Sequence, residues 1–309
     1  MHSKYAAATA ALLALSLVPA MAQACACGCD QFDVGGPDMN PAGRGGEAFL
    51  EYDYADQSQN WSGDRSAPAS QNADKEIRTH FVTAGLKSKL SQDWGVLVEA
   101  PIWSRTFRTE TDAGTGVDRF SDTALGDMRV VATYTGLSKD QSSGLIVGLK
   151  LATGDWKHAG FDRDTEIGTG STNLLLGGFH SGMLSRDGAW GYYARVLWDK
   201  PLAGQGGYLP GQEVTAAAGV SYDMPRFMTA PVHVIPLLQV LASTHARDGG
   251  RAANPADTGY TRMLLSPGIE LTTDKWGLYA DVEVPLYQHV NGNQLTAPVL
   301  AKLRASRRF

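Results

Sequence analysis

Three cysteines stand together as Cys25-Ala26-Cys27-Gly28-Cys29, and the chain has no others. Soft thiolates at this spacing suit a thiophilic ion such as Cu(I) or Zn(II). A closed zinc site wants four ligands, however, and no second ligand cluster accompanies these three. In an oxidising compartment cysteines pair, yet three cannot all pair internally. A bridge to a partner protein, or one internal disulfide beside a free thiol, therefore stays open. Cys25, Cys27 and Cys29 are candidates for holding a metal ion or a protein partner, and no cofactor is firmly assigned.

Two other groups have residue types that do chemistry. Asp162-Arg163-Asp164-Thr165-Glu166 places alternating acids in a long connection. A divalent-cation loop needs more oxygens and a constrained turn, so a solvated external loop is expected here. None of the seven histidines falls in a His-x-x-x-His spacing. A hydrolase would require His245, His289 and Asp248 to meet in space. This reading ranks below the others, and no catalytic residue is assigned.

The elements that must carry these residues begin with an export signal. Met1-His2-Ser3-Lys4 supplies a positive charge, an apolar run extends from Tyr5 to Val18, and small residues follow at Ala20, Ala22 and Ala24. That is the composition of a cleaved secretory signal. Cuts before Gln23 and before Cys25 both fit, and lipidation at Cys25 is a third option. The resulting organisation is a signal peptide over 1–24, a Cys-rich periplasmic segment over 25–45, and one domain over 46–309. The net charge of -5 leaves no basic footprint for nucleic acid.

Beyond the signal no stretch reaches the ~18 apolar residues of a membrane helix. Mean hydropathy is -0.20, and apolar residues alternate with polar ones instead of clustering. Trp276, Leu278, Ala280, Val282, Val284 and Leu286 share one face of a strand, with Tyr279, Asp281, Glu283 and Tyr287 on the other. Similar runs lie near 47–54, 76–90, 94–108, 120–136, 143–156, 170–184, 188–200, 212–224, 230–244, 258–272 and 295–309. Twelve strands with greasy and wet faces predict an all-β fold, an antiparallel up-and-down transmembrane barrel in a bacterial outer membrane. On the last strand Leu295, Ala297, Val299, Ala301, Leu303 and Ala305 are expected on the lipid face, together with Arg307, and Phe309 closes the chain.

Connection lengths alternate. Short turns at 91–93, 137–142, 185–188, 225–230 and 273–274 intersperse with long loops at 58–75, 109–119, 157–169, 201–211 and 245–257, and a last short one near 291–293. Short turns belong to the periplasmic side of such barrels, so both termini are expected there. Asp93-Trp94-Gly95, Ala189-Trp190-Gly191 and Lys275-Trp276-Gly277 each follow a short turn, as an interfacial tryptophan girdle requires. Charges on the inward faces become lumen residues: Glu51, Asp53, Glu99, Asp127, Arg129, Lys150, Arg195, Asp281, Glu283 and Arg304. Glu47, Lys87, Lys89 and Lys302 join them. Twelve strands enclose less than the ~16 to 18 of open porins, which favours a narrow, selective pore or a plugged one.

Three segments carry a family resemblance: Thr123-Ala124-Leu125-Gly126-Asp127-Met128-Arg129-Val130, Gly148-Leu149-Lys150-Leu151-Ala152-Thr153-Gly154-Asp155, and 168–177. They resemble strands of a family of bacterial outer-membrane transporters linked to the meta-pathway of phenol degradation. The resemblance spans 46–309 and implies a channel-like barrel for small organic solutes. The Cys-rich start is not part of that pattern. The leading expectation is a passive, selective channel for a small-molecule solute, sitting in the lipid bilayer. The alternative is a closed barrel that anchors the Cys-x-Cys-x-Cys segment for a metal or periplasmic protein.

Overall fold

The computed structural model describes residues 45–111, 113–224 and 232–309. The signal segment, its cleavage sites, Cys25, Cys27 and Cys29, and the 225–230 turn lie outside the described residues. The strands are β1 (Gly46–Gln57), β2 (Gln59–Gly63), β3 (Arg65–Ser66), β4 (Asp74–Lys89), β5 (Trp94–Glu110), β6 (Val117–Leu125), β7 (Arg129–Tyr134) and β8 (Ser143–Lys150). They continue as β9 (Thr172–Met183), β10 (Trp190–Ala203), β11 (Glu213–Tyr222), β12 (His233–His245), β13 (Tyr260–Thr272), β14 (Trp276–Thr296) and β15 (Leu300–Arg308).

These form a closed antiparallel barrel of 12 staves. β1 pairs β15, β14 pairs both β13 and β15, and every other stave pairs its sequence neighbours. Closure removes sheet edges that lipid has no means of satisfying. The ends meet in the ladder, where Gly46 and Phe309 exchange two backbone hydrogen bonds of 2.9 Å.

Alternation sorts the side chains as the pleat requires. Leu50, Val82, Ile102, Leu145, Val147, Leu238, Ile269, Leu278, Val282 and Leu303 are exposed on the outside, an apolar belt for lipid tails. Trp94, Trp190 and Trp276 are exposed at the start of their strands, packed against Tyr134, Tyr222 and Arg307. Inside, two phenylalanines lie over glycines directly across the ladder, Phe49 over Gly85 and Phe179 over Gly144. A Cβ at either glycine would occupy the ring's place.

Three expected strand boundaries change. The stave expected over 120–136 is split into β6 and β7 at 126–128, and both halves pair with β5. β8 stops at Lys150 rather than 156, because 151–155 leaves the ladder to bond side chains and carbonyls around Gly126. β14 continues through Asn291-Gly292-Asn293, the expected last turn. Its extension is paired by β2, drawn from the expected 58–75 loop, across a register shift between Val290 and Asn293. Leu295 and Ala297 are consequently buried in the interior instead of facing lipid with Leu303.

Candidate functional site

The connection between β8 and β9 does not project into solvent. Residues 151–171 fold into the barrel mouth, held by two interior side chains. Asp127 accepts hydrogen bonds from the Gly154 amide (3.0 Å), the Thr169 amide (2.9 Å) and the Thr169 hydroxyl (2.5 Å). Arg105 on β5 donates to the carbonyls of Thr165 (2.6 Å) and Glu166 (2.9 Å), and to the Thr79 hydroxyl. Gly154 and Gly168 approach so closely that a Cβ on either would strike the other's backbone.

The solvated loop expected at 162–166 is thus overturned: Thr165 and Glu166 are buried. Buried arginine and aspartate need partners, and this segment's backbone supplies them. Burial raises the Glu166 carboxyl to about 7, against a bond from the His158 amide. Burial also raises the Asp162 carboxyl. Arg163 packs against Trp156 and Tyr208 and is lowered by burial, its largest effect.

Beside this segment lies a small open recess, lined by Lys150, Asp199, Glu213, His245, Asp248 and Tyr260 among others. Several of its polar groups are already paired. Lys150 pairs with Asp199 at 3.1 Å, and Asn173 donates to the same carboxylate. Tyr260 donates to Glu213 (2.8 Å) and Tyr208 to Asp248 (2.7 Å). Ala55, Phe81, Trp103, Ala217, Leu241, Leu264, Ala297 and Leu300 form a buried apolar cluster with Ile167 of the infolded segment, and Trp103 and Ile167 also line the recess.

The half of the lumen nearer the short turns has two unlike walls. On β14, β15 and β1, Arg304 reaches Glu47 (3.0 Å) and Glu51 (3.8 Å), while Lys302 reaches Glu51 (3.1 Å) and Asp53 (3.7 Å). The Arg304 guanidinium covers the Phe49 ring. Tyr279 and Ser266 donate to Asp281, and Gln239 donates to Tyr279. Glu283 is only 1% exposed. On the opposite staves, β7 to β10, Val131, Ile146, Leu175, Phe179 and Leu197 form an apolar cluster with Leu97 of β5 packed against it.

The remaining sequence candidates are placed as follows. Glu99 and Arg129 are register partners across β5 and β7, and Arg195 is half-buried on the inward face of β10. Lys89 donates to Gln141 near a short turn, and Lys87 is half-buried. The rim hydrolase does not assemble. His245 points inward, stacked on Tyr260 and 4.0 Å from Asp248, whereas His289 is exposed on the outer face. Sequence reasoning missed Arg105 and Ile167. Arg105 shares the inward parity of Glu99 and was legible, and Ile167 is an isolated branched apolar residue in a polar loop.

A closed barrel with an apolar outer belt and a charged interior defines the class: an outer-membrane β-barrel. No protein-family profile matches the chain, and no curated protein matches it in sequence. Among solved structures, an outer membrane channel from Pseudomonas putida F1 superposes with a TM-score of 0.68 at 13% identity, covering 90% of this chain and 100% of that one. The β-domain of a Bordetella autotransporter gives 0.50 at 14% identity, covering 86% and 100%. One barrel architecture serves both proteins, so function has to be argued from the lumen.

Proposed function

We propose that the protein is a passive outer-membrane channel for small solutes that combine an apolar body with a polar group. The single observation that carries this reading is the pairing of unlike walls across one lumen. A solute that passes the buried apolar cluster has hydrocarbon on one side and fixed charges on the other. Small aromatic alcohols have that split character and fall within the small organic solutes that the family resemblance implies. The buried ion pairs narrow the path, which supports selectivity over general leakage. On this reading the short-turn rim, with Gly46 and Phe309 beside it, faces the periplasm, as the short turns of this barrel class support.

The density of buried charge also favours the second reading, a closed barrel that anchors Cys25, Cys27 and Cys29 for a periplasmic protein or a thiophilic metal. Proteoliposomes separate the two. A channel admits small aromatic alcohols faster than sugars of equal size, and conducts in discrete steps in a planar bilayer. Silent bilayers together with solute exclusion would refute the channel and leave the anchor.

A further inference from the structure

Away from the lumen path, β6 and the infolded segment bring three side chains of one chemistry together. Asp122, Asp155 and His158 each offer a ligand atom, and all three atoms lie within 4.8 Å of one another. Asp122 stands opposite Arg105 in the ladder. Arg105 sends donors instead to Thr79, Thr165 and Glu166. Asp122 Oδ1 accepts the Thr123 amide, while Oδ2 is buried and accepts no hydrogen bond among the described residues. That orphaned oxygen lies 3.5 Å from His158 Nδ1.

We propose that Asp122, Asp155 and His158 form a Zn2+ site that fastens the infolded segment to β6. Zinc bonds of roughly 2.0 to 2.2 Å in tetrahedral geometry put ligand atoms about 3.3 to 3.6 Å apart. The Asp122–His158 pair already has that spacing. One imidazole nitrogen with two carboxylate oxygens selects a borderline transition ion over Mg2+ or Ca2+, which take oxygen shells. The ligands are individually set. The His158 ring packs edge-on against Phe161, and its amide donates to Glu166. Asp155 is held by its backbone to Leu125 and Gly168, and its Oδ1 accepts the Lys157 amide. Its Oδ2 remains to turn toward the ion, and water completes the fourth position.

The test uses the full chain with Cys25→Ser, Cys27→Ser and Cys29→Ser in every arm, so that thiolates do not compete. Folding of each arm is verified by heat-modifiable gel mobility. Titration with Zn2+ should show one equivalent bound, undisplaced by excess Mg2+, and weakened at least ~10-fold by Asp122→Asn or His158→Ala. Asp155→Asn alters an exposed side chain, leaves the barrel folded and should weaken binding likewise. The half-buried His233–Asp223 pair, 3.0 Å apart, is the two-ligand control, and Asp223→Asn should change nothing. No stoichiometric zinc, equal zinc in the Asp155→Asn chain, or loss confined to Asp223→Asn each overturns the site.

Discussion

The two walls of the turn-side lumen share a barrel and a depth but hold together by different physics. The β14–β15–β1 wall is a lattice of buried ions, in which Arg304 and Lys302 stand among Glu47, Glu51, Asp53, Asp281 and Glu283. Its members depend on one another, because a buried charge is tolerable only with its counter-charge in place. The β7–β10 wall of Val131, Ile146, Leu175, Phe179 and Leu197 has no such interdependence. Each residue there contributes its own area and packing. The charged wall is therefore brittle to single changes and forgiving of paired ones, and the apolar wall behaves in the reverse way.

Removing the cation at the centre of the charged wall should have the largest effect. Arg304→Met leaves Glu47 and Glu51 facing an apolar neighbour and should destabilise the barrel by about 3 to 5 kcal/mol, read by urea titration of gel mobility in micelles. Adding Glu51→Gln should recover part of that loss. If the double variant is as unstable as the sum of the singles, the wall is not a cooperative lattice.

A smaller loss is expected from the apolar wall, where Leu175→Ala should cost about 2 to 3 kcal/mol through lost burial and a residual cavity. The same titration on Leu175→Ala with Ile146→Val should give near-additive losses. Strong coupling there would erase the contrast between the walls. The apolar wall also predicts a flux effect: Leu175→Asn should slow aromatic alcohols relative to sugars in proteoliposomes, and an unchanged ratio would detach selectivity from this wall.

Least is expected outside the barrel, at Arg307, which is exposed and lies over Trp276. A basic residue near the interface costs only ~0 to 1 kcal/mol, and its ring contact offsets some of that. Arg307→Leu should therefore shift stability by no more than about 1 kcal/mol in the same assay.

Most of the barrel was legible residue by residue because the period of 2 is local. Asp281 and Glu283 alternate with Val282 and Val284, and lipid leaves only one face for carboxylates. The tryptophans at 94, 190 and 276 marked one rim before any pairing was known. What escaped was decided by partners distant in sequence. No local signal announces that β2 will extend β14 past Gly292 and turn Leu295 inward. Nor does the run from Asp162 to Glu166 show that it will be drawn inside.

The sequence by itself determined the alternation, the strand count, the polarity of each face and the alternating connection lengths, since each follows from neighbours a few positions apart. Only the tertiary structure decided that Arg105 and Asp127 would gather the backbone of 151–171 into the mouth, that Ile167 would join a buried apolar cluster, and that charged and apolar walls would face each other. Those outcomes depend on barrel closure, which sets side chains from far-apart strands across one narrow space where every buried polar group must find a partner.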